Sequence, residues 1–174
     1  MTYAIRPLRL DEWEALRDIR LEALRDHPGF FFGTLERELS RTEADWKGWL
    51  TQDKKCAFGL FSDADLVGLI SIVQDREDPS GQIAIIVANY IKPAHRGKGL
   101  ARQLYQACFD WALTQPYLKT IAVSHRDDNN ASRGTILSCG FQEAGRDDMV
   151  WPDGITAQNI WYGLPVADLA PSKA

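Results

Sequence analysis

The stretch Tyr90–Leu104, "YIKPAHRGKGLARQL", decides how the chain is read. A β-branched run ends near Pro93, Gly97 and Gly99 stand one residue apart, and an apolar-periodic segment follows. Lys92, His95, Arg96, Lys98 and Arg102 gather here with no acidic residue before Asp110, in a chain of net charge -4. A helix N-terminus leaves about four N–H groups without intrahelical partners and carries partial positive charge. If the preceding turn aims its own amides the same way, the result is a cradle for phosphate oxygens. Gly97 and Gly99 permit that turn, because neither has a Cβ to block a positive φ or a close ligand. The chemistry favours a diphosphate at the start of this helix.

Other glycine-rich turns fit less well. A P-loop needs four residues between its first glycine and a Gly-Lys pair, and Leu100 stands where a hydroxyl would meet Mg²⁺. A dinucleotide fingerprint would put its third glycine at Arg102 and its acidic ribose ligand near Thr120. The plain alternative is a tight strand-to-helix connection with solvated basic residues.

Working outward, "YAIRPL" (Tyr3–Leu8) reads as a first strand. "DEWEALRDIRLEALRD" places Trp13, Leu16, Ile19, Arg20, Ala23 and Leu24 at helical spacing, and His27 and Pro28 end that helix. "GFFFGTLERELS" is an aromatic loop or short turn of helix, and Thr42 caps a second helix carrying Trp46, Trp49 and Leu50. "CAFGLF", "LVGLISIVQ" and "IAIIVANYIKP" are three consecutive strands. After the basic turn, Leu100, Leu104, Ala107, Cys108 and Trp111 mark a helix stopped before Pro116. "LKTIAVSH" should lie parallel to "IAIIVANYI" by a right-handed crossover. "DNNASRGTILSCGF" is a short helix capped by Asp128 or Asn129 and ended by Gly140, and "QEAGRDDMVWP" with "QNIWYGLPV" closes as a hairpin. The expected organisation is one α/β domain over residues 1–166, with an unstructured tail over 167–174.

The 174 residues carry 45% hydrophobic side chains, enough for one real core. No run reaches the roughly 18 apolar residues of a membrane span, and the N-terminus is charged where a signal peptide is apolar. Cys56, Cys108 and Cys139 are widely separated, which suits reduced core cysteines rather than a disulfide framework or metal site, so the cytoplasm is expected. Overall acidity argues against nucleic-acid binding.

At this point the sequence resembles the GNAT superfamily of acyl-CoA-dependent N-acetyltransferases. Its signature, Q/R-x-x-G-x-G/A after a strand ending near a proline, is met by Arg96, Gly99 and Ala101 with Pro93 upstream. "IRLEALRDHPGFFFGTLERE" looks like the "RLxALxxxPxAFxxT" openings of many bacterial members, and "NNASRGTILSCGF" is similar to their later asparagine-to-"GF" segment. The resemblance implies a mixed, mostly antiparallel sheet with splayed fourth and fifth strands, flanked by about four helices. It implies that the amides of Arg96, Gly97, Lys98, Gly99, Leu100 and Ala101 hold the coenzyme A diphosphate. The strand edge at Tyr90, Ile91 and Lys92 would pair with the pantetheine arm, an N–H near Ile91 would act as oxyanion donor, and Asn129 would contact the arm or serve only as an N-cap.

The implied reaction is attack by an amine of a small molecule or protein terminus on acetyl-CoA, without metal, and a homodimer is compatible with the resemblance. Many relatives carry a proton-donating tyrosine in a "Y-x-x-x-G-F" pattern, and here that position is Ile136. "QIAIIVANYIKP" lacks the glutamate that relatives often use as acceptor, which leaves Tyr90, Asn89 through a water, or His125. Specificity should come from "HPGFFFGTLE", Trp46 and Trp49, and the hairpin around "DDMVWPDG"; Asp75–Asp78 and Asp147, Asp148 and Asp153 could attract a cationic amine or be solvated loops. The competing reading is a non-catalytic acyl-CoA-binding or regulatory protein, motivated by Ile136.

Overall fold

Ala57 and Phe58, Leu60 and Phe61, and Leu69 and Ile70 are sequence neighbours buried on opposite faces of one sheet. Strands covered on both faces need continuous apolar runs rather than strict alternation, and these runs supply them. The computed structural model describes residues 2–51 and 53–170. In chain order they form β1 (Tyr3–Pro7), α1 (Trp13–Asp26), α2 (Leu35–Leu39), α3 (Glu43–Thr51), β2 (Lys55–Ser62) and β3 (Asp65–Gln74). There follow β4 (Ile83–Ile91), α4 (Leu100–Leu113), β5 (Thr120–Arg126), α5 (Asn130–Ser138), β6 (Gln142–Val150) and β7 (Thr156–Pro165).

The seven strands lie in the order β1-β2-β3-β4-β5-β7-β6, and β4 with β5 is the parallel pair among antiparallel neighbours. Leu16, Ile19 and Ala23 of α1 pack with Trp46 and Trp49 of α3 on one face. Leu100, Leu104 and Cys108 recur every four residues along α4 and fill the other. Truncating a side chain as enclosed as Leu104 costs about 2–5 kcal/mol.

Local chemistry fixes the ends of the elements. Thr42 and Asp45 form a reciprocal cap on α3: Asp45 N donates to Thr42 Oγ1 at 3.3 Å, and Thr42 N to Asp45 Oδ2 at 2.8 Å. Asn129, rather than Asp128, caps α5 by accepting from Ser132 N at 3.1 Å, and Gly140 closes that helix at φ +90°. The aromatic loop resolves into α2, which Thr34 caps by accepting from Arg37 N.

Two features depart from the sequence expectation. A β-bulge in β4 sits at Ala88, which adopts φ +57° without being glycine, and the register with β3 jumps between Leu69↔Tyr90 and Ser71↔Val87. Ala84 and Ile86 consequently face α4, whereas Ala88 and Tyr90 face α1. The chain from Ala167 is also not simply unstructured. Val166–Asp168 make a 3₁₀ turn that sets Val166 and Leu169 against the core, while residues 171–174 lie outside the described residues.

Candidate functional site

β4 and β5 pair only from Ile83–Ile85 to Thr120–Ala122. β5 goes on to pair with β7 as far as Arg126↔Asn159, so the two parallel strands part where the β4 bulge begins. The gap opens into a cavity of about 720 Å³. Lys92 N donates to Val67 O at 2.9 Å, so Lys92 faces β3, and by alternation Ile91 turns its backbone groups to the open edge. This is the splay implied by the resemblance; Arg96 Nε takes the Ile91 carbonyl, and the Ile91 N–H is left facing the gap.

The basic turn runs from the strand end to α4. Gly97 and Gly99 adopt φ +76° and +73°, and nothing lies within 4 Å of where a Cβ would project from either. Glycine is therefore demanded by conformation, and the space above both residues is open to a ligand. Gly99 is the N-cap of α4, whose first-turn amides have no intrahelical acceptors. Arg96, Gly97, Gly99, Ala101, Arg102 and Asn129 all line the cavity, whereas the Leu100 side chain is buried in the core and brings only its backbone.

Several of the basic groups have structural partners that sequence reasoning did not assign. The Lys92 amide is committed to Val67, its carbonyl to His95 N, and its ammonium to Glu22 Oε2 at 3.0 Å, so Lys92 cannot pair with a pantetheine arm. The Arg96 amide donates to Pro93 O, which removes it from the cradle. The Arg96 guanidinium instead donates from Nε to Ile91 O at 2.7 Å and from Nη2 to His27 Nε2 at 3.0 Å. Lys98 Nζ donates to Tyr3 Oη at 2.7 Å.

Tyr90 is no proton acceptor. Its hydroxyl reaches Asp26 Oδ2 at 2.6 Å and Glu22 Oε1 at 3.1 Å, and burial followed by the Asp26 hydrogen bond drives its pKa well above that of an ordinary phenol. His125 is buried at 3% exposure rather than standing at the surface. Its Nδ1 lies 2.6 Å from Arg126 O, a pure acceptor, so Nδ1 carries the proton and Nε2 accepts from Tyr162 Oη at 3.1 Å. Ile136 is wholly buried in the α4-side core. Sequence reasoning missed Tyr105 of α4, which lines the cavity and hydrogen-bonds the Asn89 side chain; its position beside an apolar stripe is the only signal it gives. His27, read as a helix stop and as the first residue of the specificity loop, lines the cavity, and burial followed by Arg96 lowers its pKa.

Of the predicted specificity elements, the aromatic loop and the terminal hairpin meet, Trp49 lines the cavity, and Trp46 is buried in the core. Phe32 stacks on Trp151 with centroids 5.3 Å apart, and Arg126 reaches from β5 to Asp153 Oδ2 at 2.6 Å. Gly29 fits against Asp153 so closely that a Cβ would fall 2.3 Å from Oδ2. The acidic residues serve loops rather than the cavity: Asp78 accepts from the amides of Ser80, Gln82 and Ile83, and Asp147 from Trp161 Nε1. Among the described residues no cluster of three or more His, Cys, Asp or Glu could hold a metal, and no helix is long and apolar enough to cross a membrane. Cys56, Cys108 and Cys139 are free.

Comparison with known proteins agrees with this architecture. A streptothricin acetyltransferase from Escherichia coli is 31% identical over 96 residues, which are 55% of this chain and 52% of that protein. The chain thus matches about half the length of that relative. A GNAT-family acetyltransferase from Streptococcus pneumoniae superposes with a TM-score of 0.83 at 15% identity, covering 94% of this chain and 99% of that one. The protein yncA of Salmonella typhimurium, solved with its cofactor acetyl-CoA, gives 0.81 at 18% identity over 100% of this chain and 99% of that one. Spermidine N-acetyltransferase from Vibrio cholerae, in complex with CoA and spermine, gives 0.74 at 18% identity over 95% and 96%. Since the acetyltransferase (GNAT) family model matches residues 13–141, most of its length, the chain belongs to that family.

Proposed function

We propose that the protein transfers the acetyl group of acetyl-CoA to a primary amine by direct attack. The observation that carries this reading is the coincidence, on one cleft, of a left-handed glycine turn opening α4 and a β4 edge without a strand partner. The open space over Gly97 and Gly99 and the first-turn amides of α4 suit a diphosphate, with the Arg102 guanidinium beside them. The Ile91 N–H, the backbone group left facing the gap, would donate to the thioester oxygen. Lys92 and Lys98 contribute positive potential rather than contact. When bound, acetyl-CoA supplies an activated carbonyl and a thiol leaving group.

A primary alkylamine with a pKa of about 10 must lose a proton before or during attack. His125 is the acceptor in this reading. Its Nδ1 proton is held on the Arg126 carbonyl and Nε2 accepts the Tyr162 hydroxyl, so the amine proton passes to Tyr162 Oη as Tyr162 hands its own proton to Nε2. In this reading the Tyr105 hydroxyl, which lines the cavity beside Asn89, donates to the departing sulfur, the duty that Ile136 cannot perform. The three free cysteines suit a cytoplasmic setting.

Thiol release from acetyl-CoA across a panel of amines tests the reading. Amine-dependent release is expected, and His125→Gln should lower kcat/KM by about a hundredfold. A second reading, favoured by Ile136, is a non-catalytic acyl-CoA-binding protein. It agrees on binding and is distinguished by the absence of amine-dependent release.

A further inference from the structure

Arg20 lies in the middle of the apolar stripe of α1, and its side chain is only 6% exposed, yet it lines the cavity. Its Nε and Nη1 are buried without an acceptor among the described residues. Its nearest carboxylate oxygen, Glu38 Oε1, is 3.9 Å from Nη2, beyond hydrogen-bond range. Glu38 is itself claimed by Arg41, which bridges its Oε2. Phe31 covers the guanidinium with its ring at 4.7 Å, and burial lowers the Arg20 pKa to about 10.

Arg20, Arg41 and Glu38 together carry one positive charge in excess. Lys55, over the Trp49 ring at 4.8 Å, does not relieve it, and the same environment lowers its pKa to about 8. No described Asp or Glu lines the cavity, whose charged residues are Arg20, Arg96 and Arg102, with His27, His95 and His125 beside them. Arg102 of α4 stands beside the turn assigned to the diphosphate. Arg20 enters the cavity wall from α1 instead, against Phe31 and Gly33, where no phosphate of the coenzyme is accommodated in the reading above.

A guanidinium with two of its nitrogens enclosed in an apolar wall and unpartnered is destabilised unless an anion completes it. Planar two-oxygen acceptors suit its fork best. We propose that Arg20 binds a carboxylate carried by the acceptor, which makes the acceptor an amino acid or amino-acid-like amine with an apolar side chain. This rests on the acetyl-transfer reading and names its substrate class. The aromatic wall takes the apolar side chain, and a polyamine would bring like charge against Arg20 with no carboxylate on the cavity wall to receive it.

The test compares pairs that differ only in the carboxylate. N-acetyl-L-phenylalanine and N-(2-phenylethyl)acetamide, and the corresponding leucine and isoamylamine acetamides, are titrated calorimetrically into CoA-saturated protein. The carboxylates should bind about tenfold to a hundredfold more tightly, as a charged hydrogen bond is worth. That ratio should fall to about one in Arg20→Gln, with circular dichroism verifying the fold. A purely structural role for Arg20 would lower stability and leave the ratio unchanged. Should Arg20→Gln fail to fold, the wild-type ratio alone decides.

Equal or weaker binding of the carboxylates, or binding of neither member of either pair, overturns the assignment. The same preparation is assayed for thiol release with L-phenylalanine, L-phenylalanine amide, 2-phenylethylamine and spermidine. L-phenylalanine should give the highest kcat/KM. Comparable turnover of the amide, which mimics a peptide N-terminus, or of spermidine, overturns the Arg20 assignment and leaves acetyl transfer standing. Tight carboxylate binding without any thiol release overturns acetyl transfer and leaves the Arg20 site.

Discussion

Gly99 holds φ +73° at the mouth of α4, a conformation in which any other L-residue is strained even though a Cβ would meet nothing. Gly99→Ala should cost about 1 kcal/mol of stability through that strain, and it places a methyl where the diphosphate is expected. Calorimetry should therefore find acetyl-CoA affinity lowered by more than the stability change alone accounts for. Unchanged affinity would move the diphosphate elsewhere. Tyr90 makes the opposite prediction. Its hydroxyl is tied to Asp26 and Glu22, so Tyr90→Phe should destabilise the fold by about 1–3 kcal/mol in a denaturant titration. The pH dependence of the rate should stay in place, and a displaced limb would return Tyr90 to the chemistry.

Among the elements, the 3₁₀ turn that leads into α1 carries a pH-sensitive lock. Glu12 accepts from Arg6 Nη1 and Nη2 at 2.8 and 2.6 Å and from Arg9 N at 2.8 Å, and the Arg6 hydrogen bonds lower its pKa from 4.5 to about 2. A carboxylate depressed in the folded state contributes stability that is complete above its unfolded pKa and is lost as pH falls through the folded one. Glu12→Gln should thus destabilise the protein at neutral pH by about 1 kcal/mol, with the difference from wild type shrinking between about pH 4.5 and pH 2. A pH-independent difference in thermal midpoint would contradict the pairing. At the other end of the cleft, Asn129→Ala should cost about 1 kcal/mol by removing the α5 cap. Acetyl-CoA affinity measured on the same variant separates capping from ligand contact: a cap alone leaves it nearly unchanged.

Across the whole molecule, the sequence made the element order legible because apolar periodicity, Thr42, Asn129 and Gly140 all act locally. The glycine turn was legible for the same reason, since Gly97 and Gly99 announce positive φ. The bulge at Ala88 was not, because it is imposed by pairing with β3 and no glycine marks it. The bulge decides which residues face which side, so Tyr90 lines the cleft and yet sends its hydroxyl to Asp26 and Glu22 of α1. Lys92 and Arg96 were legible as charge, but their partners Glu22, Val67 and His27 come from remote segments. Arg20 was visible as a charged residue inside an apolar stripe, and its consequence needed the burial and the missing acceptors.

The central claim is that the open β4 edge and the start of α4 form one coenzyme site. Hydrogen–deuterium exchange with and without acetyl-CoA tests it most directly. Acetyl-CoA should slow exchange at Asn89–Ile91 and at Gly97–Arg102, with little change along the exposed β6 edge. Protection confined to other segments, or none at saturating acetyl-CoA, would contradict it.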